Sequence, residues 1–177
     1  MLQDGNGWAA GPNGTRCWGR FGAAGLLIVS PQRTVLMQYR ADWTSFPLTW
    51  GVPGGACDSH ETPEATALRE TAEETGLLEH QLRILDTQVT TGPFPADPDR
   101  PELAGGWKYH TVYALAAEEL ETNPNEESLE LRWIPLDDVD SLDLLPPFVE
   151  SWPRVRAHLE KLSLIHISEP TRRYAIS

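Results

Sequence analysis

The chain has 177 residues, 40% of them hydrophobic, which suits one domain at about 100–200 residues per domain and is enough for one core. Fourteen Lys and Arg against 26 Asp and Glu leave a formal charge of −12. So acidic a chain is repelled by polyphosphate backbones and anionic lipid, so sequence-independent binding to nucleic-acid polymers and membrane docking are excluded. A phosphate-bearing ligand would have to be met by a local basic group, by backbone N–H groups or by a bound cation.

Residues 1–19 hold five glycines and little periodicity and read as a loose, loop-like arm, with ordered structure starting near Arg20. The start, MLQDGNGW, lacks the basic stretch and apolar core of a signal peptide. The apolar run from Phe21 to Val29 is too short to span a bilayer at about 20 residues, and reads instead as a buried strand. Cys17 and Cys57 form no disulfide framework and no metal-type Cys pair, which points to two reduced thiols in a cytoplasmic protein. Val35–Arg40 reads as the neighbouring strand across a turn at 30–33, and Thr49–Val52 as a third short extended piece running into Pro53, Gly54 and Gly55.

A helix follows, with Thr62 as N-cap, Pro63 at its first position and Gly76 just past its end. Strands are expected over 81–91, over 108–115, where Tyr109, Thr111, Tyr113 and Leu115 alternate with their neighbours, and around Leu129–Trp133. A closing helix places Phe148, Trp152, Val155, Leu159 and Leu162 at helical spacing, with Pro153 kinking it or marking a fresh start. Strands, one helix, strands, one helix make an α+β chain with a mixed sheet between helices. Two long connections, the proline-rich 92–106 and the acidic 116–128, separate the later strands. Residues 164–177 break the pattern and resemble translated sequencing-adapter DNA; they read as a non-native tail outside a domain at 20–163.

At about 100° per residue, Glu70, Glu73 and Glu74 share one face of the 63–75 helix with the small Thr66 and Ala67. Ala65, Leu68, Ala72 and Thr75 fall opposite, on the face expected to pack on the sheet. Three like charges at i, i+3 and i+4 repel, and one Arg69 cannot neutralise them. A hard divalent cation can, and Mg²⁺ on carboxylates commonly recruits substrate phosphates.

Gly55-x5-Glu61-x7-Arg69-Glu70-Thr71-x-Glu73-Glu74-x-Gly76-Leu77 resembles the signature of the Nudix hydrolases, with each fixed glycine, glutamate and arginine at its spacing. Thr71 departs from the family's usual aliphatic residue. The resemblance implies a Nudix αβα sandwich and hydrolysis of the pyrophosphate of a nucleoside diphosphate linked to another moiety. It implies Mg²⁺, or Mn²⁺, on Glu70, Glu73, Glu74 and the Gly55 carbonyl, with Glu70 also able to orient or deprotonate the attacking water. Arg69 would orient a motif glutamate, Glu61 would brace the turn, and Glu127 would serve as a base or extra ligand from outside the motif, with Glu126 and Glu130 as competitors. The partner implied is a small-molecule nucleotide; the family's frequent dimers leave a homodimer open.

Seven tryptophans are many for this length. Trp43, Trp50, Trp107 and Trp133 fall near the expected site elements or the long loop, where an aromatic face could stack on a base at about 1–3 kcal/mol. Trp133 reads rather as core, and Phe94 and Trp107 bracket the 92–106 loop as candidates for substrate selectivity. Pro93, past the motif, resembles the placement in ADP-ribose-cleaving members, while a MutT-like role on non-standard or oxidised nucleoside triphosphates fits equally. Two alternatives stand beside these. One is an isopentenyl-diphosphate isomerase-like enzyme, which would need a reactive cysteine such as Cys57. The other is a non-catalytic ligand-sensing module, which often loses motif carboxylates that this chain keeps.

Overall fold

The computed structural model describes residues 3–163. The adapter-like tail lies outside them. Strands β1 (Trp8–Ala10) and β2 (Arg16–Trp18) form an antiparallel hairpin, so the arm expected to be loose is instead structured. Its glycines are sites of close approach and turning: Gly14 and Gly19, for example, have φ of 77° and 109°.

Strands β3 (Ala23–Val29) and β4 (Thr34–Arg40) open the main sheet. They pair only at Val29 with Val35 and then splay apart. The gap takes two short pieces, β5 (Trp50–Gly51) against β4 and β6 (Gly54–Ala56) against β3. Strands β7 (Leu82–Phe94), β8 (Trp107–Ala116) and β9 (Ser128–Pro135) complete seven strands, with β3 and β8 parallel at the centre and β9 antiparallel on β4.

Every residue of β3 is buried, because helices cover both faces of the sheet. Alternation divides its side chains: Leu26 and Ile28 join Leu36, Val112 and Ala114 under helix α1 (Pro63–Thr75), while Leu27 and Val29 join Met37, Tyr113 and Ile134 under helix α2 (Pro146–Leu162). The result is the expected αβα sandwich around a mixed sheet. Helix α2 runs through Pro153 as one element, neither broken nor restarted. Val149, four residues earlier and deprived of that donor, lies on the exposed side, where water can serve its carbonyl.

Helix α1 has the ends its sequence specifies. The Thr62 hydroxyl accepts from the Ala65 N–H at 3.1 Å, and Gly76, at φ 78°, donates to the Ala72 carbonyl. Its buried face is not the expected one. Thr66, Ala67, Thr71, Glu74 and Thr75 are buried, whereas Ala65 is exposed and Leu68 and Ala72 are only half-buried. The carboxylate face looks towards the sheet because β6 offers glycines there: a side chain on Gly55 would sit 2.5 Å from the Glu70 carboxyl carbon. No helix among the described residues is long and apolar enough to cross a membrane.

Candidate active site

Arg69 is the hub of the loop–helix junction. Its Nε and Nη2 donate to Glu61 Oε2 and Oε1, both at 2.8 Å, its Nη1 donates to Glu70 Oε1 at 2.8 Å, and Nη2 also reaches the Ala56 carbonyl at 3.1 Å. A planar guanidinium meets a carboxylate on two parallel bonds in this way. Glu61 further accepts the Asp58 N–H and the Thr66 hydroxyl, each at 3.0 Å. Arg69 above all, with these donors, holds its carboxyl down at about 2 against the opposing effect of burial. Glu61 thus bonds both the turn at Asp58 and Arg69, and Arg69 bonds Glu70.

The motif carboxylates occupy unequal settings. Glu74 is 2% exposed and accepts the Gly54 N–H at 3.0 Å. Burial, then the neighbouring Glu127 carboxyl, pushes it up to about 10. Glu70 rises to about 7, chiefly through burial, with Arg69 opposing and the charges of Glu73 and Glu127 adding. Glu73 is the open member, its side chain 54% exposed and 3.7 Å from Arg69. Among the described residues no three His, Cys, Asp or Glu side chains are gathered at metal-holding spacing, and Glu73 stands apart from the inner acids.

Of the three extra-motif candidates, only Glu127 reaches the inner acids. The acidic loop is docked on the end of α1, with Asn123 donating to the Thr75 carbonyl at 2.8 Å and Asn125 to that of Glu74 at 3.4 Å. Asn125 Oδ1 then accepts the Glu127 N–H at 3.0 Å. Glu126 is exposed, and Glu130 pairs with Arg132 on β9. Oxygen donors that are desolvated, acidic and short of hydrogen-bond donors fit a hard divalent cation. The side-chain-free Gly54–Gly55 backbone lets the Glu70 and Glu74 carboxyls come close to it.

Sequence reasoning missed Arg40 and Tyr109. Arg40 ends β4 at a bulge and lies in the field of Glu74, Tyr109 and Glu127; burial draws its guanidinium down and those groups oppose that. The Tyr109 hydroxyl fills the space over Gly25, where a side chain would meet it at 1.9 Å. An arginine at a strand end and a tyrosine in an alternating strand carry no sequence signal of their own.

The aromatic candidates separate. Phe94 and Trp107 stack in parallel at 5.9 Å, and Trp107 Nε1 donates to the Trp18 carbonyl at 3.1 Å. Phe94 also lines a recess of about 410 Å³ between β7 and α2, beside Arg154. Trp50 is corrected: it is 9% exposed, set in the α2-side core with Tyr39 at 5.0 Å and the Arg132 guanidinium at 5.6 Å, so its ring is not free to stack on a base.

The NUDIX domain model matches residues 19–155. A Mycobacterium tuberculosis protein named "Putative 8-oxo-dGTP diphosphatase 3" is 44% identical over 174 residues, covering 96% of this chain and 77% of that one. A Bifidobacterium longum nucleoside triphosphate pyrophosphatase/Nudix hydrolase fusion protein is 35% identical over 91% of this chain and 33% of its own length. The crystal structure of RenU, a Nudix hydrolase from M. smegmatis, superposes with a TM-score of 0.79 at 45% identity, covering 89% of this chain and 96% of that one. With the motif intact on its helix and the sandwich around it, the chain belongs to the Nudix family and is a diphosphatase.

Proposed function

We propose that the protein hydrolyses an oxidised nucleoside triphosphate of the 8-oxo-dGTP type to the monophosphate and pyrophosphate. The observation that carries a metal-assisted reading is the pair of buried carboxyls, Glu70 and Glu74, beside Glu127 and against the Gly54–Gly55 backbone. The name of the M. tuberculosis relative supports the choice of base.

Glu70, Glu73 and Glu74, with the Gly55 carbonyl, would hold Mg²⁺ or Mn²⁺, and Glu73 would have to turn inward to join. Such a cation supplies charge for the phosphate oxygens and a more acidic water. Glu61 and Arg69 keep Glu70 aimed at the site. Glu127, the extra-motif carboxylate beside Glu74, would take up the water proton. Arg40, the cation in the field of these acids, would face a substrate phosphate. Phe94 and Trp107 would form an aromatic wall for the base.

Cys57 does not suit the isomerase-like alternative. It is buried, and burial pushes its thiol up, the opposite of an activated nucleophile. The test is a panel of 8-oxo-dGTP, dGTP and ADP-ribose with Mg²⁺, read as nucleoside monophosphate formed and separated by chromatography. A preference for 8-oxo-dGTP is expected. A preference for ADP-ribose would overturn the substrate, and tight binding with no turnover would favour a sensing module.

A further inference from the structure

The segment before the first hairpin lies against the loop that carries Glu61. The Gly5 N–H donates to Asp58 Oδ1 at 2.9 Å, and the Gly5 carbonyl accepts the Arg20 N–H at 2.9 Å. Asp4 Oδ1 accepts the Ser59 N–H at 2.9 Å, and its other oxygen accepts the Ser59 hydroxyl. The approach is close: a side chain on Gly5 would sit 2.0 Å from the Cys57 carbonyl oxygen, a backbone atom that cannot swing away. The Asp58 side chain and both the N–H and the hydroxyl of Ser59 are therefore tied to residues 5 and 4, which precede the region matched by the family model.

Asp58 makes this more than a surface contact. It is buried, its N–H donates to Glu61, and its Oδ2 lies 3.8 Å from Arg69 Nη2. Its other oxygen is committed to Gly5. Released from Gly5, that carboxylate would have one cation in reach, the guanidinium that Glu61 and Glu70 share. A swing towards Arg69 would compete with both.

We propose that Asp4 and Gly5 are positioning residues: they form a strap that fixes Asp58 at 3.8 Å from Arg69, beyond hydrogen-bond reach, and so keeps the Glu61–Arg69–Glu70 alignment. The proposal rests on hydrolysis at this site. Groups that orient ligating carboxylates typically cost about 10–100-fold in metal affinity or activity when lost.

The test compares the full chain with Gly5→Ala, Asp4→Ala and Asp4→Asn, reading kcat and KM on 8-oxo-dGTP, Mn²⁺ affinity without nucleotide by electron paramagnetic resonance, and the thermal midpoint. Gly5→Ala and Asp4→Ala are expected to lose about tenfold in kcat and in Mn²⁺ affinity with KM little changed. Asp4→Asn, which keeps an acceptor for the Ser59 N–H, should recover most of the loss. Wild-type kcat and Mn²⁺ affinity in Gly5→Ala and Asp4→Ala would overturn the strap. So would losses that follow the thermal midpoint alike in all three variants. A wild-type chain that binds Mn²⁺ but turns over no nucleotide would sink the hydrolase reading instead, while its Mn²⁺ affinity would still report on the strap.

Discussion

Glu61 grips Arg69 through both carboxylate oxygens at 2.8 Å, and the same guanidinium passes on to Glu70. The Glu61 carboxyl sits at about 2, below its ordinary 4.5, so its contribution to stability is full above 4.5 and is lost as pH falls towards 2. Glu61→Gln should therefore cost about 3 kcal/mol at neutral pH, with the gap to wild type closing between pH 4.5 and 2. Urea midpoints across that window check it; a gap that does not change with pH would contradict the ion pair.

Glu74 predicts the opposite slope. Its carboxyl is raised from 4.5 to about 10, so the folded protein retains a proton that the unfolded chain releases. Without metal, this group's effect is absent below pH 4.5 and increasingly destabilising as pH rises towards 10. Thermal midpoints in EDTA should fall from pH 6 to pH 9 in wild type and fall less in Glu74→Gln. Mg²⁺ should stabilise wild type more at pH 8.5 than at pH 6, because the ligands must lose their proton to bind it.

Gly55→Ala tests the fit between β6 and the helix. The added carbon would lie 2.5–2.9 Å from the Glu70 carboxyl group, which is the end of a side chain and can move aside. The fold should survive, and turnover should fall about 10²-fold through the displaced Glu70. Circular dichroism and steady-state kinetics on one preparation separate the two effects.

Thr71, the motif's departure from an aliphatic residue, is buried with its hydroxyl lacking a hydrogen-bond partner. Thr71→Val keeps the shape and removes the unpaired group. It should stabilise the protein by about 1–3 kcal/mol and leave kcat unchanged, as denaturant unfolding and kinetics would show.

The ends of α1 were legible because Thr62, Pro63 and Gly76 act locally, through capping and φ alone. The motif spacing was legible for the same reason. The buried face of α1 was not: an amphipathic reading sends Leu68 and Ala72 inward, but the glycines of β6 make space for carboxylates on the sheet side. The N-terminal glycines read as slack, yet Gly5 is a contact that only a glycine permits, and its partner is 53 residues away. Glu127 could not be told from Glu126 or Glu130 because Asn123 and Asn125, bonded to the end of α1, choose it through tertiary structure. Trp50 was misassigned since nothing local to it announces that Tyr39 and Arg132 cover its ring.

Glu74→Gln is the most direct test of the account. The amide is close in shape and can still accept the Gly54 N–H, so the fold should remain, but it removes a charge meant for the cation. With Mg²⁺ and 8-oxo-dGTP, turnover should drop by about three orders of magnitude while circular dichroism is unchanged. Near-normal Mg²⁺-dependent turnover in this variant would contradict a role for Glu74 in holding the metal.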